Sequence, residues 1–194
     1  MIIGITGGIG AGKSTILNIL KNNYCYNIFE ADAIAKEIMT EGNAVYNKIV
    51  EYFGTEILND DNSLNSEKIS SIVFSNRDKL NMLNNIVHPG VIEEIERRIA
   101  NLRNHGEDKF VIEAALLIES GCYKLCDQIW YIDTNTDVRR KRLKESRNLT
   151  DKRIDEIIGN QLDKSKFLKY SDIVIDNSSN LSDTALQIQK LLEF

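Results

Sequence analysis

Residues 7–14 combine the residue types that bind phosphate groups. They read Gly-Gly-Ile-Gly-Ala-Gly-Lys-Ser and match the phosphate-binding pattern Gly-x-x-x-x-Gly-Lys-Ser. Glycines allow the backbone to turn successive N–H groups toward one anion, a conformation that side chains obstruct. Lys13 supplies a positive charge for the β- and γ-phosphates, and Ser14 offers a hydroxyl to Mg²⁺. The residues expected to bind the nucleotide are Gly8, Gly10, Ala11, Gly12, Lys13, Ser14 and Thr15.

The segments on either side of this loop have the patterns of a strand and a helix. Residues 2–6 form a short apolar run. The apolar residues after the loop have the spacing of one helix face; they are Ile16, Leu17, Ile19 and Leu20. Strand, glycine loop and helix, in this order, are the context in which the motif binds phosphate. The alternative, a glycine-rich turn with a surface lysine, explains this order less well.

Four further segments are predicted as strands: 27–30, 110–112, 128–132 and 172–175. The last three are almost continuously apolar, as in strands that are buried on both faces of a parallel sheet. Helical patterns separate the strands, so we predict an α/β fold with a five-stranded parallel sheet flanked by helices.

Two long interruptions divide this pattern. About 80 residues separate the second and third strands, far more than one crossover helix needs. We predict a helical insert over 33–105 that binds the second substrate, because ligands of open α/β sheets lie beyond the carboxyl ends of the strands. His88 and Pro89 lie between helical patterns and are predicted to end a helix, with a substrate contact as the alternative.

Residues 139–153 contain eight basic and two acidic residues in a chain whose net charge is −5. A solvated helix face is one explanation for this segment. We favour a lid over 136–167 that closes over phosphates. Arg142 and Arg147 are its candidates for stabilising charge on the transferred group. The nucleotide-binding core is then 1–32, 106–135 and 168–194.

Asp32 is the candidate for orienting the alcohol that accepts a phosphoryl group. It follows the second strand and precedes a helix predicted to open at Ala33, so an N-cap is the equally weighted alternative. Carboxylates also end the three remaining strands, at Glu113, Asp133 and Asp176. One of these could position Mg²⁺ through water, and the sequence does not select which.

Composition narrows the class of protein. The negative net charge argues against a general nucleic-acid binder, and no apolar run approaches the ~20 residues that span a bilayer. The first residues lack the pattern of a signal peptide. Three cysteines without zinc spacing favour reduced thiols and a cytoplasmic location, with a Cys122–Cys126 redox pair as the alternative.

Several segments together resemble the dephospho-CoA kinase family. Residues 4–15 match the family's Gly-x-Thr-Gly-Gly-Ile-Gly-Ser-Gly-Lys-Ser-Thr run. Residues 30–32 stand at its Asp-Ala-Asp, with Glu30 in place of the first aspartate. His88-Pro89 match its His-Pro pair, and residues 115–119 stand at its Pro-Leu-Leu-Phe-Glu, with alanine in place of the proline. Residues 171–177 fit its ending, Ala-Asp-x-x-Ile-x-Asn.

The resemblance implies transfer of the γ-phosphoryl group of ATP to the ribose 3′-hydroxyl of dephospho-CoA, the last step of coenzyme A biosynthesis. It implies Mg²⁺ as cofactor and a phosphate-loop fold like that of nucleoside monophosphate kinases. Lys13, Asp32, Arg142 and Arg147 would be catalytic, although the spacing of the two arginines is one residue longer than in the family. Gln161 fits the glutamine that closes the lid. The substrate-binding residues would be Asp32, His88, Leu116 and Glu119.

Two other functions are consistent with the phosphate loop alone. A nucleoside monophosphate kinase or another small-molecule kinase would share the loop and the lid. A GTP-binding switch normally contains Asn-Lys-x-Asp, and here Asn47-Lys48 is followed by Ile-Val. The missing motif argues for an enzyme rather than a switch. We also expect a monomer or a small homo-oligomer that has no nucleic-acid or membrane partner.

Overall fold

The computed structural model describes residues 1–193, and within them the chain forms one five-stranded sheet. The strands are β1 Ile2–Thr6, β2 Asn27–Glu30, β3 Phe110–Glu113, β4 Gln128–Asp133 and β5 Ile173–Asp176. The α-helices are α1 Lys13–Tyr24, α2 Ala31–Ile38, α3 Ala44–Phe53, α4 Ser66–Phe74, α5 Arg77–Asn104, α6 Thr136–Arg147, α7 Asp151–Gly159, α8 Lys164–Tyr170 and α9 Leu181–Leu192.

The strand order is β2-β3-β1-β4-β5, and the pairings of β1 with β3, β1 with β4 and β4 with β5 are parallel. The predicted α/β class and parallel sheet are confirmed. Because the strands are parallel, their carboxyl ends meet at one edge of the sheet. The loop after β1 therefore lies at the same edge as Glu113, Asp133 and Asp176, which end β3, β4 and β5.

Local sequence explains where many of the helices start. The side chain of Asn65 accepts a hydrogen bond from the backbone N–H of Lys68 at the start of α4. Asn76, Asn135 and Asn180 begin α5, α6 and α9 in the same way, and Thr150 begins α7. Each such cap satisfies an N–H group that has no partner inside the helix, which stabilises the helix by about 1 kcal/mol.

Contacts along the chain divide it into two compact units, residues 1–29 with the chain from 108 onward, and residues 30–107. The first unit contains the sheet. Its core packs strand residues against α1 and α9 and includes Ile3, Ile5, Trp130, Ile132, Ile16, Leu20 and Ile188, all fully buried. Aliphatic side chains of this size each contribute about 1.5–3 kcal/mol when buried.

The second unit consists of α2 to α5 and a short antiparallel bridge between Leu58 and Leu64. α5 packs against α2, α3 and α4. The guanidinium of Arg98 donates to the carboxylates of Glu94, one turn before it, and of Glu37 on α2. Arg97 also donates to Glu94, and the hydrogen bonds from Arg97 and Arg98 lower the pKa of Glu94 to about 2.

The prediction that His88 and Pro89 end a helix is wrong, because α5 continues through both residues. A proline inside a helix loses one backbone hydrogen bond and costs about 3 kcal/mol. The helix continues because its remaining turns bury apolar side chains against the unit. The residues that α5 buries beyond the proline are Val91, Ile95 and Ile99. Burial on this scale offsets the local cost of the proline.

The three cysteines are free, and Cys122 is fully buried. Burial raises the pKa of Cys122 and raises that of Cys126 to about 12, so both thiols stay protonated at neutral pH. Among the helices of residues 1–193, none combines the length and apolarity needed to cross a lipid bilayer.

Gly90 provides a test of packing in the second unit. A Cβ at this position would lie 2.4 Å from Cγ2 of Val45 and 3.2 Å from Cδ1 of Ile38. We expect Gly90→Ala to lower the free energy of unfolding by about 1–3 kcal/mol, because overpacking outweighs the gain in helix propensity. Urea denaturation followed by circular dichroism measures this change.

Gly159 is the matched control, since it also lies in a helix and a Cβ there would meet no atom within 4 Å. We expect Gly159→Ala to leave stability unchanged or to raise it by up to about 1 kcal/mol. Equal destabilisation by the two substitutions would show that the close approach of α3 to α5 does not matter.

Candidate active site

The glycine loop joins β1 to α1 at the carboxyl edge of the sheet. Gly10 and Gly12 have φ values of 76° and 84°, which lie in the left-handed region that favours glycine. A Cβ on Gly8 would lie 2.4 Å from a guanidinium nitrogen of Arg139, so a side chain at this position would displace the guanidinium. The residue types of the loop therefore follow from its backbone and its neighbours.

The carbonyl of Ala11 is held on the outer side of the loop. It accepts hydrogen bonds from Thr134 Oγ1 at 2.9 Å, from Asn177 Nδ2 at 2.8 Å and from the Arg142 guanidinium at 3.4 Å. In a planar trans peptide the C=O and the following N–H point in opposite directions. The N–H of Gly12 is therefore turned away from these three side chains and toward the interior of the loop.

Asn177 is the centre of this arrangement. It lies directly after β5, is 3% exposed and accepts a hydrogen bond from Thr184 Oγ1 at 2.9 Å, which leaves its amide group to donate to Ala11. The Arg142 guanidinium also donates to the backbone carbonyl of Asn177, at 2.8 Å. The end of β5 and the helix α6 are thus tied to the loop through buried hydrogen bonds, which are stronger than the same bonds in water.

The amino-terminal half of the loop is held at Ile9. Its backbone N–H donates to Gln161 Oε1 at 3.2 Å, and its carbonyl accepts from Arg139 Nε at 2.9 Å. A second nitrogen of the same guanidinium donates to Gln161 at 2.8 Å. Arg139 is half-buried, and this burial lowers its pKa without removing its charge at neutral pH.

These contacts leave the inward-facing N–H groups of the loop available to an anion. Within residues 1–193, the backbone N–H groups of Gly10, Gly12, Lys13 and Ser14 donate to no protein acceptor. Lys13 and Ser14 are the first residues of α1, so the positive end of the helix dipole lies at the loop. Several convergent N–H groups at a helix N-terminus form an anion site.

The ammonium group of Lys13 is positioned over the loop. Its Nζ donates to the carbonyl of Gly7 at 3.1 Å and lies 3.4 Å from Oε1 of Glu113, the last residue of β3. Both side chains are largely buried, with 16% and 13% of their surface exposed. The last residue of the neighbouring strand therefore helps to hold this ammonium group beside the loop.

The donor set beside the loop fits Mg²⁺ bound together with a nucleotide. Ser14 is exposed, and in the described chain its hydroxyl has no hydrogen-bond partner. The same residues contain no cluster of three or more His, Cys, Asp or Glu that would hold a metal alone. Mg²⁺ at such sites keeps few protein ligands, because phosphates and waters supply the others. Ser14 would thus be its protein ligand.

A cleft of about 650 Å³ opens beside Gly8 in the first unit. Its walls include Tyr131, which stacks on Phe167 with ring centroids 5.0 Å apart, and Asp133, which pairs with Lys164. Burial, and then the nearby Asp133 carboxylate, raises the pKa of Tyr131 to about 12. This volume lies within the usual range for small-molecule sites.

The structure separates the two predicted lid arginines. Arg142 contacts the loop, as described above. Arg147 is the exposed last residue of α6, and among the described residues its side chain has no hydrogen-bond or ion-pair partner. Leu116 is 49% exposed and Glu119 is also exposed, both in the turn after β3. Their predicted roles toward a substrate stay predictions.

Asp32 and His88 belong to the unit of residues 30–107. The predicted start of α2 at Ala33 is wrong, because the helix begins at Ala31 and its N-cap is Glu30. Asp32 is therefore not a cap but an exposed acid in the first turn, where the helix dipole favours a negative charge. Burial lowers the pKa of His88, which favours its neutral form.

Sequence reasoning missed the importance of Arg139, Thr134 and Asn177. Arg139 appeared only as one basic residue among many, and Asn177 only as part of a family ending. One signal was present, since Thr134 and Asn177 directly follow the carboxyl ends of β4 and β5. Their contacts with Ala11 depend on the order of the strands in the sheet, and the residue pattern of a single strand does not reveal that order.

The parallel sheet and the loop define the class of this protein as a P-loop kinase fold. A shikimate kinase from Acinetobacter baumannii has a TM-score of 0.57 at 13% identity, covering 99% of this chain and 92% of that chain. A Thermus thermophilus structure, TT1252, has a TM-score of 0.82 at 23% identity over 100% of this chain and 96% of that chain. At these identities the likeness shows the fold alone.

Sequence comparison identifies the family within that class. The model of the dephospho-CoA kinase family (CoaE) matches residues 1–183. A dephospho-CoA kinase from Carboxydothermus hydrogenoformans is 38% identical over 192 residues, 99% of this chain and 93% of its own length. The dephospho-CoA kinase structure from Campylobacter jejuni has a TM-score of 0.70 at 26% identity, covering 99% of this chain and 95% of that chain. The chain therefore belongs to the dephospho-CoA kinase family of ATP-dependent kinases, and the predicted resemblance is confirmed.

Asn177→Asp tests how the loop is held. The substitution replaces the donor to the Ala11 carbonyl with an acceptor, so we expect the Ala11–Gly12 peptide to turn. Loss of one well-placed N–H to a phosphate weakens nucleotide binding about tenfold or more. Isothermal titration with ATP measures the dissociation constant, with Asn101→Asp, the same change on an exposed turn of α5, as control. Unchanged ATP affinity in Asn177→Asp would contradict this role.

Proposed function

We propose that this protein transfers the γ-phosphoryl group of ATP to the ribose 3′-hydroxyl of dephospho-CoA, giving coenzyme A and ADP. The family match over residues 1–183 carries the choice of acceptor. The geometry supports the donor, because a loop with inward N–H groups and a lysine suits the phosphates of a nucleotide. Phosphoryl transfer then depends on positioning and on neutralising charge rather than on covalent chemistry.

The proposed nucleotide site uses the residues of the glycine loop. Gly8, Gly10, Ala11, Gly12 and Thr15 shape the backbone around the phosphates. Lys13 compensates charge at the β- and γ-phosphates, and Ser14 would bind Mg²⁺, which supplies charge neutralisation at the bridging oxygens when it is bound. Arg142, already hydrogen-bonded beside the loop, adds positive charge there.

The residues proposed to bind the acceptor are Asp32 and His88 of the second unit and Leu116 and Glu119 of the first. Asp32 orients the 3′-hydroxyl and receives or attracts its proton. His88, Leu116 and Glu119 contact the acceptor, and residues 33–105 grip it. Residues 136–167 act as the lid, which brings Arg147 toward the transferred group and excludes water. A cytoplasmic location and a monomeric or small homo-oligomeric state stay predictions.

The reaction is tested by its product. The full chain is incubated with ATP, Mg²⁺ and dephospho-CoA, and the product is analysed by mass spectrometry. We expect a gain of one phosphoryl group and loss of cleavage of the ribose by periodate, because 3′-phosphorylation removes the ribose vicinal diol. AMP, UMP and shikimate are offered as rival acceptors. Turnover confined to one of these three would overturn the proposed function.

Lys13→Ala tests charge compensation at the phosphates. We expect kcat to fall by about 10²-fold or more, since removing one preorganised electrostatic contact has effects of this size. Lys21→Ala is the control, because Lys21 lies in the last turn of the same helix. Initial-rate kinetics with both substrates measure the change. A Lys13→Ala enzyme with normal kcat would exclude the proposed role.

Asp32→Asn tests the orienting carboxylate. We expect kcat to fall by about 10²-fold while the dissociation constant for ATP stays unchanged, because the residue acts on the acceptor. Asp78→Asn is a matched control, since Asp78 is an acid in the first turn of α5 as Asp32 is in α2. Near-normal turnover in Asp32→Asn would show that this residue contributes to helix stability but not to catalysis.

A further inference from the structure

The carbonyl and the N–H of Ile9 are held by two side chains that come from different parts of the predicted lid. Arg139 lies on α6, and Gln161 follows α7 and lines the cleft beside Gly8. The guanidinium binds the carbonyl of Ile9 with Nε and the Gln161 amide oxygen with a second nitrogen. The same amide oxygen accepts the N–H of Ile9. Arg139, Gln161 and Ile9 therefore form one closed set of three hydrogen bonds, which we name the Ile9 brace.

The Ile9 brace fixes two consecutive peptide planes. Because the Ile9 carbonyl points toward Arg139, the N–H of Gly10 points the opposite way, into the loop. Because the Ile9 N–H points toward Gln161, the Gly8 carbonyl is turned inward, where it accepts the Ala11 N–H at 3.1 Å. The brace thus sets the curvature of the amino-terminal half of the loop.

The Ile9 brace lies in the half of the loop that also contacts the Lys13 ammonium group. Lys13, which reaches the β- and γ-phosphates in such loops, has its ammonium on the carbonyl of Gly7, two residues before Ile9. The opposite half of the loop, at Ala11, is held by other side chains, Thr134, Asn177 and Arg142. We therefore expect a disturbance at Ile9 to affect the binding of a terminal phosphate more than the binding of the rest of a nucleotide.

The two hydrogen bonds of Arg139 in the Ile9 brace require a planar guanidinium group. Arg139 uses two nitrogens of one guanidinium on two different acceptors, a geometry that a lysine ammonium does not reproduce. Its group also lies against Gly8, where a Cβ would come within 2.4 Å of one guanidinium nitrogen. Arg140, the next residue, instead forms ion pairs with Asp151 and Asp155 of α7.

We propose that Arg139 is a positioning residue for ATP, acting through Gln161 and the Ile9 peptide groups to aim the Gly10 N–H at the terminal phosphates. This inference rests on the proposed use of ATP by the phosphate loop. In this proposal the Ile9 brace links residues 136–167 to the part of the loop that binds the γ-phosphate. The predicted consequence is selectivity between ATP and ADP.

Binding measurements separate this role from a general structural one. We expect Arg139→Gln to weaken ATP binding about tenfold, the scale of one lost hydrogen bond to a charged group, and ADP binding less than threefold. Arg139→Lys keeps the charge but not the two guanidinium donors, so we expect it to weaken ATP binding as much as Arg139→Gln does. Arg140→Gln removes the same charge from the adjacent position and is expected to change neither affinity.

A double-mutant cycle tests the path through Gln161. Because Gln161 holds the guanidinium that binds the Ile9 carbonyl, we expect Gln161→Leu alone to weaken ATP binding in the same direction as Arg139→Gln. We expect the double variant to be no worse than Arg139→Gln alone. Steady-state kinetics add a second readout, since KM for ATP rises while KM for dephospho-CoA stays unchanged.

Three outcomes would overturn the inference. Full ATP affinity in Arg139→Lys would mean that only charge matters. Additive effects of the Arg139 and Gln161 substitutions would mean that the two residues act separately. Equal losses of ATP and ADP affinity would mean a loop disturbed as a whole. Each result leaves the proposed reaction untouched, because the product made by the unaltered protein is identified independently.

Discussion

The orientation of a few peptide planes in the glycine loop is the constraint on which the site depends. An N–H group binds an anion only if its own carbonyl neighbour is turned away, and each outward carbonyl then needs a donor of its own. The protein meets this need at Ile9 and Ala11 with side-chain donors from outside the loop. Glycine permits the loop conformation, but these donors select it from the many that glycine allows.

This constraint explains why elements distant in sequence must meet at one edge of the sheet. The donors to Ala11 come from the ends of β4 and β5 and from α6, so the β1-β4-β5 strand order places them within reach. The acceptor of the Ile9 N–H comes from the segment after α7. Glu113 at the end of β3 holds Lys13 from the other side. The loop is thus supported by both neighbours of its own strand.

The arginines of the basic segment, residues 139–153, differ in what they contact. Arg139 and Arg142 are partly buried and bind backbone carbonyls of the loop, whereas Arg140 pairs with surface aspartates. Arg147 is exposed at the end of α6. The segment therefore contains both arginines that contact the loop and arginines on a solvated surface, and its action as a lid stays a prediction. One helix presents residues three apart to the loop and the intervening ones to solvent, because its period is 3.6 residues.

The sequence by itself determined the fold class, the strands to within a residue or so, the glycine loop and the family. The first three follow from local patterns of glycine and apolar residues, and the family follows from these together with short motifs such as His88-Pro89. It misplaced the end of a helix at Pro89, because local propensity does not include the packing that carries α5 onward. Only the tertiary structure decided that Arg139 and Asn177, 130 and 166 residues from the loop residues they bind, orient its peptides. Such contacts depend on strand order and helix rotation, which bring together residues that share no sequence pattern.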